Sequence, residues 1–339
     1  MTLPGIESFL IGECRAFGVP VGTVWDGWVV AAGDPEPLLS RAGTLRAIVD
    51  VAWTGPADAV PARLPTAERL WCENQWINEG RRASAAFAAA SCAAGGAEIV
   101  AAPDGPPAMV CIVDRSGRAL IGRAVAWGLE RRRPYRVALM ARSLNPAMAR
   151  AMAMASRARA GDVFLDPFCG SGTVLAERAL LGPCRLVGLD IEAGAVDAAG
   201  RTLSGFVLDG SRAGRAGTAG GAVGDDASGA LQVELRVADA RALPLPEGSV
   251  TAAATNPPFG HRMGRAADNA DLYPRALREV VRALRPRGRV VVLTGDRRHL
   301  RRAVQACGSA LRPRSEARVW LGGLEPILGV YDRTEAALP

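Results

Sequence analysis

The sequence predicts an α/β fold, a doubly wound parallel sheet closed by a hairpin and preceded by a smaller α+β unit. Three observations carry that expectation. From Asp162 onward short apolar runs alternate with helical stretches, the signature of strands linked by crossover helices. Four of those runs end at, or just before, a polar residue (Asp166, Asp190, Asp239 and Asn256). Ahead of about residue 135 the pattern is irregular instead, and six of the seven Trp fall there (25, 28, 53, 71, 76, 127).

The front unit, residues 1–135, opens with Ile6, Phe9, Leu10, Cys14 and Phe17 at helical spacing, stopped by Gly18. Trp25 to Ala31 reads as a strand, Pro35 to Ser40 as a turn into a helix, and Arg46 to Trp53 as a second strand. Pro56, Pro61 and Pro65 punctuate the chain before an Ala-rich stretch, Thr66 to Ala94, that reads as helix. Met109 to Asp114 and Ala119 to Val125 flank Arg115-Ser116-Gly117 as a hairpin. The Trp side chains read as core, since Trp in a small unit fills volume. Arg131 to Arg136 (RRRPYR) reads as a solvated linker.

The second unit, residues 136–339, begins with Ser143-Leu144-Asn145-Pro146, which starts a helix over Ala147 to Arg159. Then come a strand at Asp162–Asp166 with a helix to Leu181, and a strand at Arg185–Asp190 with a helix over Ala193–Leu203. Strands at Leu231–Val237 and Val250–Thr255 follow. A helix at Leu272–Leu284, a strand at Arg289–Thr294 and a helix at Arg297–Cys307 continue the alternation. Ala317–Leu321 and Ile327–Tyr331 close the chain as a hairpin. The segment 209–230 is Gly, Ala, Ser and Asp with little apolar bulk and reads as a flexible insertion.

Composition sets limits on function. The chain has 339 residues, 49% apolar and 22% charged, as an ordinary globule does. All 41 cations are Arg, which binds phosphate as a bidentate fork and stacks on bases. The net charge of +7 fits a nucleic-acid partner without demanding one. The seven Cys show no C-x-x-C, and the only His are His261 and His299, so no metal site is expected. The N-terminus has neither a basic start nor an apolar core, and no run reaches membrane-span length, so a cytoplasmic protein is expected.

Two stretches carry chemistry. Asp166 to Thr173 (DPFCGSGT) is a strand end, a glycine turn and a helix start, in which Gly170 and Gly172 let backbone approach a ligand. Twenty residues beyond Gly170, a second apolar run ends in Asp190, where an acid accepts hydrogen bonds from ribose hydroxyls. Asn256 to Gly260 (NPPFG) follows the strand at Val250–Thr255. Proline has no N–H, so this turn offers mostly acceptors, the Asn256 side chain and the Pro257 carbonyl among them. Two converging acceptors suit an exocyclic NH2 group, and Phe259 supplies a flat apolar face for a planar base or amide.

Together, DPFCGSGT and NPPFG resemble the S-adenosylmethionine-dependent amino-methyltransferases. With Arg133-Pro134-Tyr135-Arg136, Ser143-Leu144-Asn145-Pro146, Val237-Ala238-Asp239-Ala240 and the opening Pro4-Gly5-Ile6-Glu7, the chain is most similar to the THUMP-domain guanine-N2 methyltransferases that act on tRNA. The resemblance is specific over residues 131–332 and departs from the family at His261 and in the longer 209–230 insertion. It implies a Rossmann-like methyltransferase sheet behind a THUMP-like domain, S-adenosyl-L-methionine as cofactor and tRNA as partner. Asp166, Gly170 and Gly172 would cradle the methionine part with Thr173 and Asn145 nearby, Asp190 would bind the ribose and Asp239 the adenine amino group, and Pro167, Phe168 and Ala240 would complete the cofactor site. Asn256, Pro257 and Phe259 would hold the target base. A base in folded tRNA must swing out to reach such a pocket, and Arg262 and Arg265, just past the turn, are the expected RNA contacts. Between Arg262 and Arg302 there are 12 Arg against four acids. The same turn accepts adenine N6 or a glutamine amide, and a non-catalytic RNA-binding protein on this fold is the alternative of another class.

Overall fold

The computed structural model describes residues 2–3, 5–25, 27–34, 36–56, 69–74, 98–100, 109–113, 118–127, 129, 133–138, 140, 143–207, 231–259, 269–321 and 324–339. By internal contact the chain divides into two units, Met1–Arg132 with Trp320–Gly323, and Arg133–Val319 with Leu324–Pro339.

In the first unit, α1 (Glu7–Ala16) buries Leu10 and Cys14 in a small core with Val19, Leu38, Ala42 and Leu45. The expected strand over Trp25–Ala31 is two strands, β1 (Val21–Trp25) and β2 (Trp28–Ala31), paired antiparallel across Gly27 at φ 75°. Helix α2 (Glu36–Arg41) follows. The buried Glu13 carboxylate accepts from the backbone N–H of Gly43 (2.7 Å) and Thr44 (2.9 Å), tying α1 to the segment after α2. Trp28 is buried, as expected of a core Trp, while Trp76 lies outside the described residues.

A five-stranded sheet completes the unit: β3 (Ala47–Pro56), β4 (Arg69–Asn74), β5 (Glu98–Val100), β6 (Met109–Val113) and β7 (Arg118–Trp127), in the order β3-β7-β6-β4-β5. The β6–β7 hairpin is the one expected. The helix expected from Thr66 is corrected at Arg69–Asn74, which pairs parallel to both β5 and β6. Pairing on both edges overrides the helical propensity of the Ala-rich context. The rest of that expectation, 75–94, lies outside the described residues, as does the 209–230 insertion.

The second unit is a seven-stranded mixed sheet flanked by helices. Its strands are β8 (Val163–Asp166), β9 (Arg185–Asp190), β10 (Gln232–Val237), β11 (Val250–Thr255), β12 (Leu284–Thr294), β13 (Leu311–Arg318) and β14 (Ile327–Arg333). They run in the order β10-β9-β8-β11-β12-β14-β13. The first five are parallel and β14 is antiparallel to both its neighbours. The helices are α3 (Pro146–Ala155), α4 (Thr173–Ala179), α5 (Ala193–Val207), α6 (Asn269–Ala283) and α7 (Arg297–Ala306). One face of the sheet packs α6 and α7 through Val280, Val281, Leu277, Leu300 and Ala303 onto Val290 and Val292.

Element ends shift by a few residues throughout, most at β12, which starts at Leu284 rather than Arg289, and three departures from the sequence reading have a clear physical cause. Helix α3 stops at Ala155 rather than Arg159, because Arg157 takes a left-handed conformation (φ 55°) that ends it. Strand β13 begins at Leu311 rather than Ala317. Its residues 312–316 are exposed, so it lacks the apolar alternation that marks a strand, and Arg312, Arg314 and Arg318 guard an open sheet edge. The RRRPYR linker is not a solvated joint where it is described. Tyr135 is buried and donates to Glu177 Oε1 on α4 (2.5 Å), and Arg133 Nε lies 3.0 Å from the same oxygen. Glu177 has no exposure at all, which explains the arrangement, since a buried carboxylate needs donors and counter-charge. Arg131 and Arg132 lie outside the described residues.

Candidate active site

Strands β9, β8 and β11 are parallel neighbours, so their carboxyl ends lie side by side. They end in Asp190, Asp166 and Thr255, the last followed directly by Asn256, and Asp239 stands two residues past the end of the adjacent β10. The four polar residues singled out from the sequence therefore share one rim of the sheet, the edge where open α/β sheets take ligands.

The glycine turn is sewn to the end of β9. Cys169 N–H donates to the Leu189 carbonyl (2.9 Å) and Gly170 N–H to Asp190 Oδ2 (2.9 Å). Gly170 and Gly172 both take left-handed φ, 52° and 78°, and Gly172 also backs onto α5. A Cβ there would stand 3.1 Å from Ala199 Cα. Thr173, buried, opens α4, and its hydroxyl lies 3.4 Å from Ser171 Oγ. Ser143 Oγ and Ser171 Oγ are 2.7 Å apart, which ties the segment before α3 to the glycine turn. Asn145 is the N-cap of α3: its Oδ1 accepts from Ala147 N–H (2.9 Å), so that oxygen serves the helix.

The two carboxylates beside the turn differ in surroundings. Asp166 is 1% exposed, and burial pushes its carboxyl up to about 7. The Phe168 N–H, 3.2 Å from Oδ1, pulls the other way. The Thr255 hydroxyl also favours the charged form, although it completes no hydrogen bond of ordinary geometry among the described residues. Asp190 is only partly buried and accepts one backbone N–H on each oxygen, from Gly170 and from Glu192 (3.0 Å to Oδ1). A carboxylate has about four acceptor positions, so Asp190 keeps capacity for hydroxyl donors.

Asp239 is less open than the sequence suggested. The Arg241 guanidinium reaches both its oxygens (Nε at 3.0 Å from each, Nη2 at 2.7 Å from Oδ2) and holds its carboxyl below the usual range. Ala240 is buried in the core of the unit and offers a ligand only backbone.

Asn256 Oδ1 is buried and has no hydrogen-bond partner among the described residues. Pro257 beside it is buried, and Phe259 rests on the backbone at Gly295, where a Cβ would lie 3.2 Å from the ring. The turn is held from below by residues the sequence reading passed over. Asp296 N–H donates to Thr294 Oγ1 (2.9 Å), which is 2.7 Å from Tyr273 Oη, which is 3.0 Å from the Pro258 carbonyl. A carbonyl can only accept, so the Tyr273 proton goes to Pro258 and the Thr294 proton to Tyr273. Thr294 was findable, because it ends an apolar strand on the same rim; Tyr273 was not, because a Tyr within an amphipathic helix reads as core. An apolar void in the core beneath α6 and α7 reaches Pro167 and Phe168 after β8 and Thr255 and Pro257 at the end of β11, so the first residues of the two turns stand close together. Arg262 and Arg265, with Gly260 and His261, lie outside the described residues.

Comparisons with known proteins follow the same residues. The family model described as "RMKL-like, methyltransferase domain" matches residues 133–327. The chain is 38% identical over 192 residues to the tRNA (guanine(6)-N2)-methyltransferase of Thermus thermophilus, covering 56% of this chain and 48% of that one. It is 33% identical over 178 residues to mouse tRNA (guanine(6)-N(2))-methyltransferase THUMP3, covering 52% of this chain and 33% of that one. The match thus spans about a third to a half of the length of these curated relatives. The crystal structure of TrmN from Thermus thermophilus superposes with a TM-score of 0.67 over 98% of each chain at 24% identity, which shows a shared fold.

Proposed function

We propose, for a chain that belongs to the family of RMKL-like methyltransferase domains, that it methylates the exocyclic N2 of a guanine in tRNA with S-adenosyl-L-methionine as methyl donor. The observation that carries this reading is Asn256 Oδ1, a buried acceptor without a donor among the described residues, on the rim that also bears the glycine turn. Leaving such an atom unpaired disfavours the free protein by about 1–3 kcal/mol, and an amino group arriving in the turn relieves that. Relatives named as tRNA guanine-N2 methyltransferases or dimethyltransferases over the matched stretch support guanine over adenine N6 or a glutamine amide.

The donor set fits the cofactor. Asp190 retains acceptor positions for ribose hydroxyls, the left-handed glycine turn leaves room for close approach, and Asp166 supplies a carboxylate beside it. When bound, S-adenosylmethionine supplies an electrophilic methyl group on a sulfonium. The work of the chain's own residues is orientation. Asn256 Oδ1, with the Pro257 carbonyl, accepts the N–H groups of the target amine and so aims the nitrogen lone pair away from them. The same acceptors stabilise the positive charge that grows on nitrogen during transfer. Phe259, fixed against Gly295, gives the base a face to stack on. The surplus proton then leaves to water, so no strong base is required.

In this reading residues 136–339 form the catalytic domain and 1–135 a THUMP-like domain, Arg262 and Arg265 touch RNA phosphates, and the protein works in the cytoplasm on tRNA. Among the described residues no helix is long and apolar enough to cross a membrane. The test is methyl transfer from labelled cofactor onto bulk tRNA, followed by nucleoside mass spectrometry. N2-methylguanosine is the expected product. N6-methyladenosine, or label in protein, redirects the assignment; RNA binding with no cofactor binding in calorimetry makes the chain a binding protein instead.

A further inference from the structure

Helix α7, which starts beside the Asn256 turn, carries a row of guanidinium groups without ion-pair partners among the described residues. Arg298, Arg301, Arg302 and Gln305 stand at i, i+3, i+4 and i+7 and are exposed, while Leu300 and Ala303 on the opposite side are buried. None of Arg297, Arg298, Arg301 and Arg302 has a carboxylate within ion-pair distance among the described residues. Several other arginines of the same unit do, among them Arg241 with Asp239, Arg275 with Asp271, Arg282 with Glu279, Arg285 with Asp162, Arg287 with Glu335 and Arg289 with Asp332. The exposed Arg312, Arg314 and Arg318 of β13 do not among the described residues, but they lie along the far edge of the sheet. The helix itself contains no acid, and the acid that precedes it, Asp296, is engaged as its N-cap and by His299 and Asn269.

The position of this row matters as much as its charge. Strand β12 runs parallel to β11 and ends at Thr294 on the ligand rim, so α7 starts there. The residue between them, Gly295, is the one on which the Phe259 ring rests. A helix that follows a parallel strand runs back along the sheet, so its exposed arginines lead away from the rim. From Arg298 to Arg302 the axial rise is about 6 Å.

We infer that the exposed face of α7 is the track for the RNA phosphates next to the methylated nucleotide, an inference that rests on the reading under Proposed function and names its RNA-contacting surface. Arg suits the task, because its planar fork pairs two phosphate oxygens and cannot lose its charge. A nucleotide swung out of its stack carries its neighbouring phosphates toward the rim with it, and the α7 row stands where they arrive.

The test compares two double variants of equal charge change in the full chain. Arg298→Gln with Arg301→Gln removes part of the row. Arg285→Gln with Arg287→Gln removes two exposed, ion-paired arginines from the opposite end of β12. Binding of bulk tRNA is measured from low to moderate salt, and binding of S-adenosylmethionine by calorimetry. The α7 variant is expected to lose roughly 1–2 from the slope of log affinity against log salt, with tRNA binding weaker by several-fold or more. Its cofactor affinity stays at the wild-type value, and the control pair keeps the wild-type slope. Equal slopes for the wild type and the α7 variant, with tRNA still methylated, overturn the α7 track and leave the methyltransferase reading standing. A wild type that neither binds nor methylates RNA overturns both.

Discussion

The Tyr273 hydroxyl donates to the Pro258 carbonyl across 3.0 Å, and it is the only link from α6 to the Asn256 turn that the described hydrogen bonds contain. Because Thr294 donates to Tyr273 in turn, the proton order along this chain is fixed. The peptide between Pro258 and Phe259 is therefore held from a buried, non-titrating direction: burial pushes the Tyr273 phenol well above its ordinary range. Tyr273→Phe leaves the apolar packing of α6 intact and removes that hold. It is expected to lower kcat about tenfold or more, since misplacing a reacting group by an ångström costs up to about a hundredfold. Cofactor affinity, measured by calorimetry, should stay within twofold, and a variant with wild-type kcat removes Tyr273 from this role.

Asn256→Ala separates activity from stability. The lost oxygen has no partner among the described residues, so its removal should leave unfolding by urea unchanged or make the protein more stable, by up to about 1 kcal/mol. On the proposed reading, methyl transfer should fall by a factor of about a hundred or more, since the acceptor assigned to the developing charge is gone. A large loss of stability would show that the side chain has a structural partner after all.

Asp166 makes stability depend on pH in an unusual direction. Its carboxyl, ordinarily at 3.8, is raised by burial to about 7 in the folded protein. Between those values the folded state binds the extra proton, so this group's contribution is most favourable below pH 4 and declines as the pH rises to 7. The full effect at neutral pH is at most about 4 kcal/mol. Asp166→Asn should remove that decline, making the cofactor-free variant more stable than wild type at pH 8 but not at pH 4, while weakening cofactor binding. Urea unfolding at the two pH values checks it; parallel pH profiles for the two proteins would argue that Asp166 is ionised throughout.

Glu177 is expected to be among the most sensitive positions in the second unit. It is fully buried on α4, with Tyr135, Arg133 and Arg150 about it. Glu177→Ala strands buried cations and should destabilise by roughly 3–5 kcal/mol. Thermal unfolding reads the loss, and Tyr135→Phe, which deletes one donor only, should show a smaller one.

What could be read from the sequence were the positions where side chain and strand end coincide. Asp166, Asp190, Asp239 and Asn256 stand on one rim because a parallel strand delivers its last residue there whatever surrounds it. Side-chain commitments were not legible. That Asn145 Oδ1 caps a helix, or that Arg241 occupies Asp239, depends on local geometry that residue identity does not fix. Tyr135 and Arg133 looked like part of a charged joint because their partner, Glu177, is forty-two positions from Tyr135. Strand β4 was misread because what makes it a strand is its two neighbours, both distant in sequence.

The pairing of β8 with β11 has a bearing on how the molecule comes into being. Parallel neighbours cannot be joined by a tight turn, and here α4, β9, α5 and β10 intervene in the chain. During synthesis the Gly170 turn leaves the ribosome some eighty-six residues ahead of Asn256. A nascent chain halted before β11 holds half a rim and an unpaired central edge, which invites aggregation.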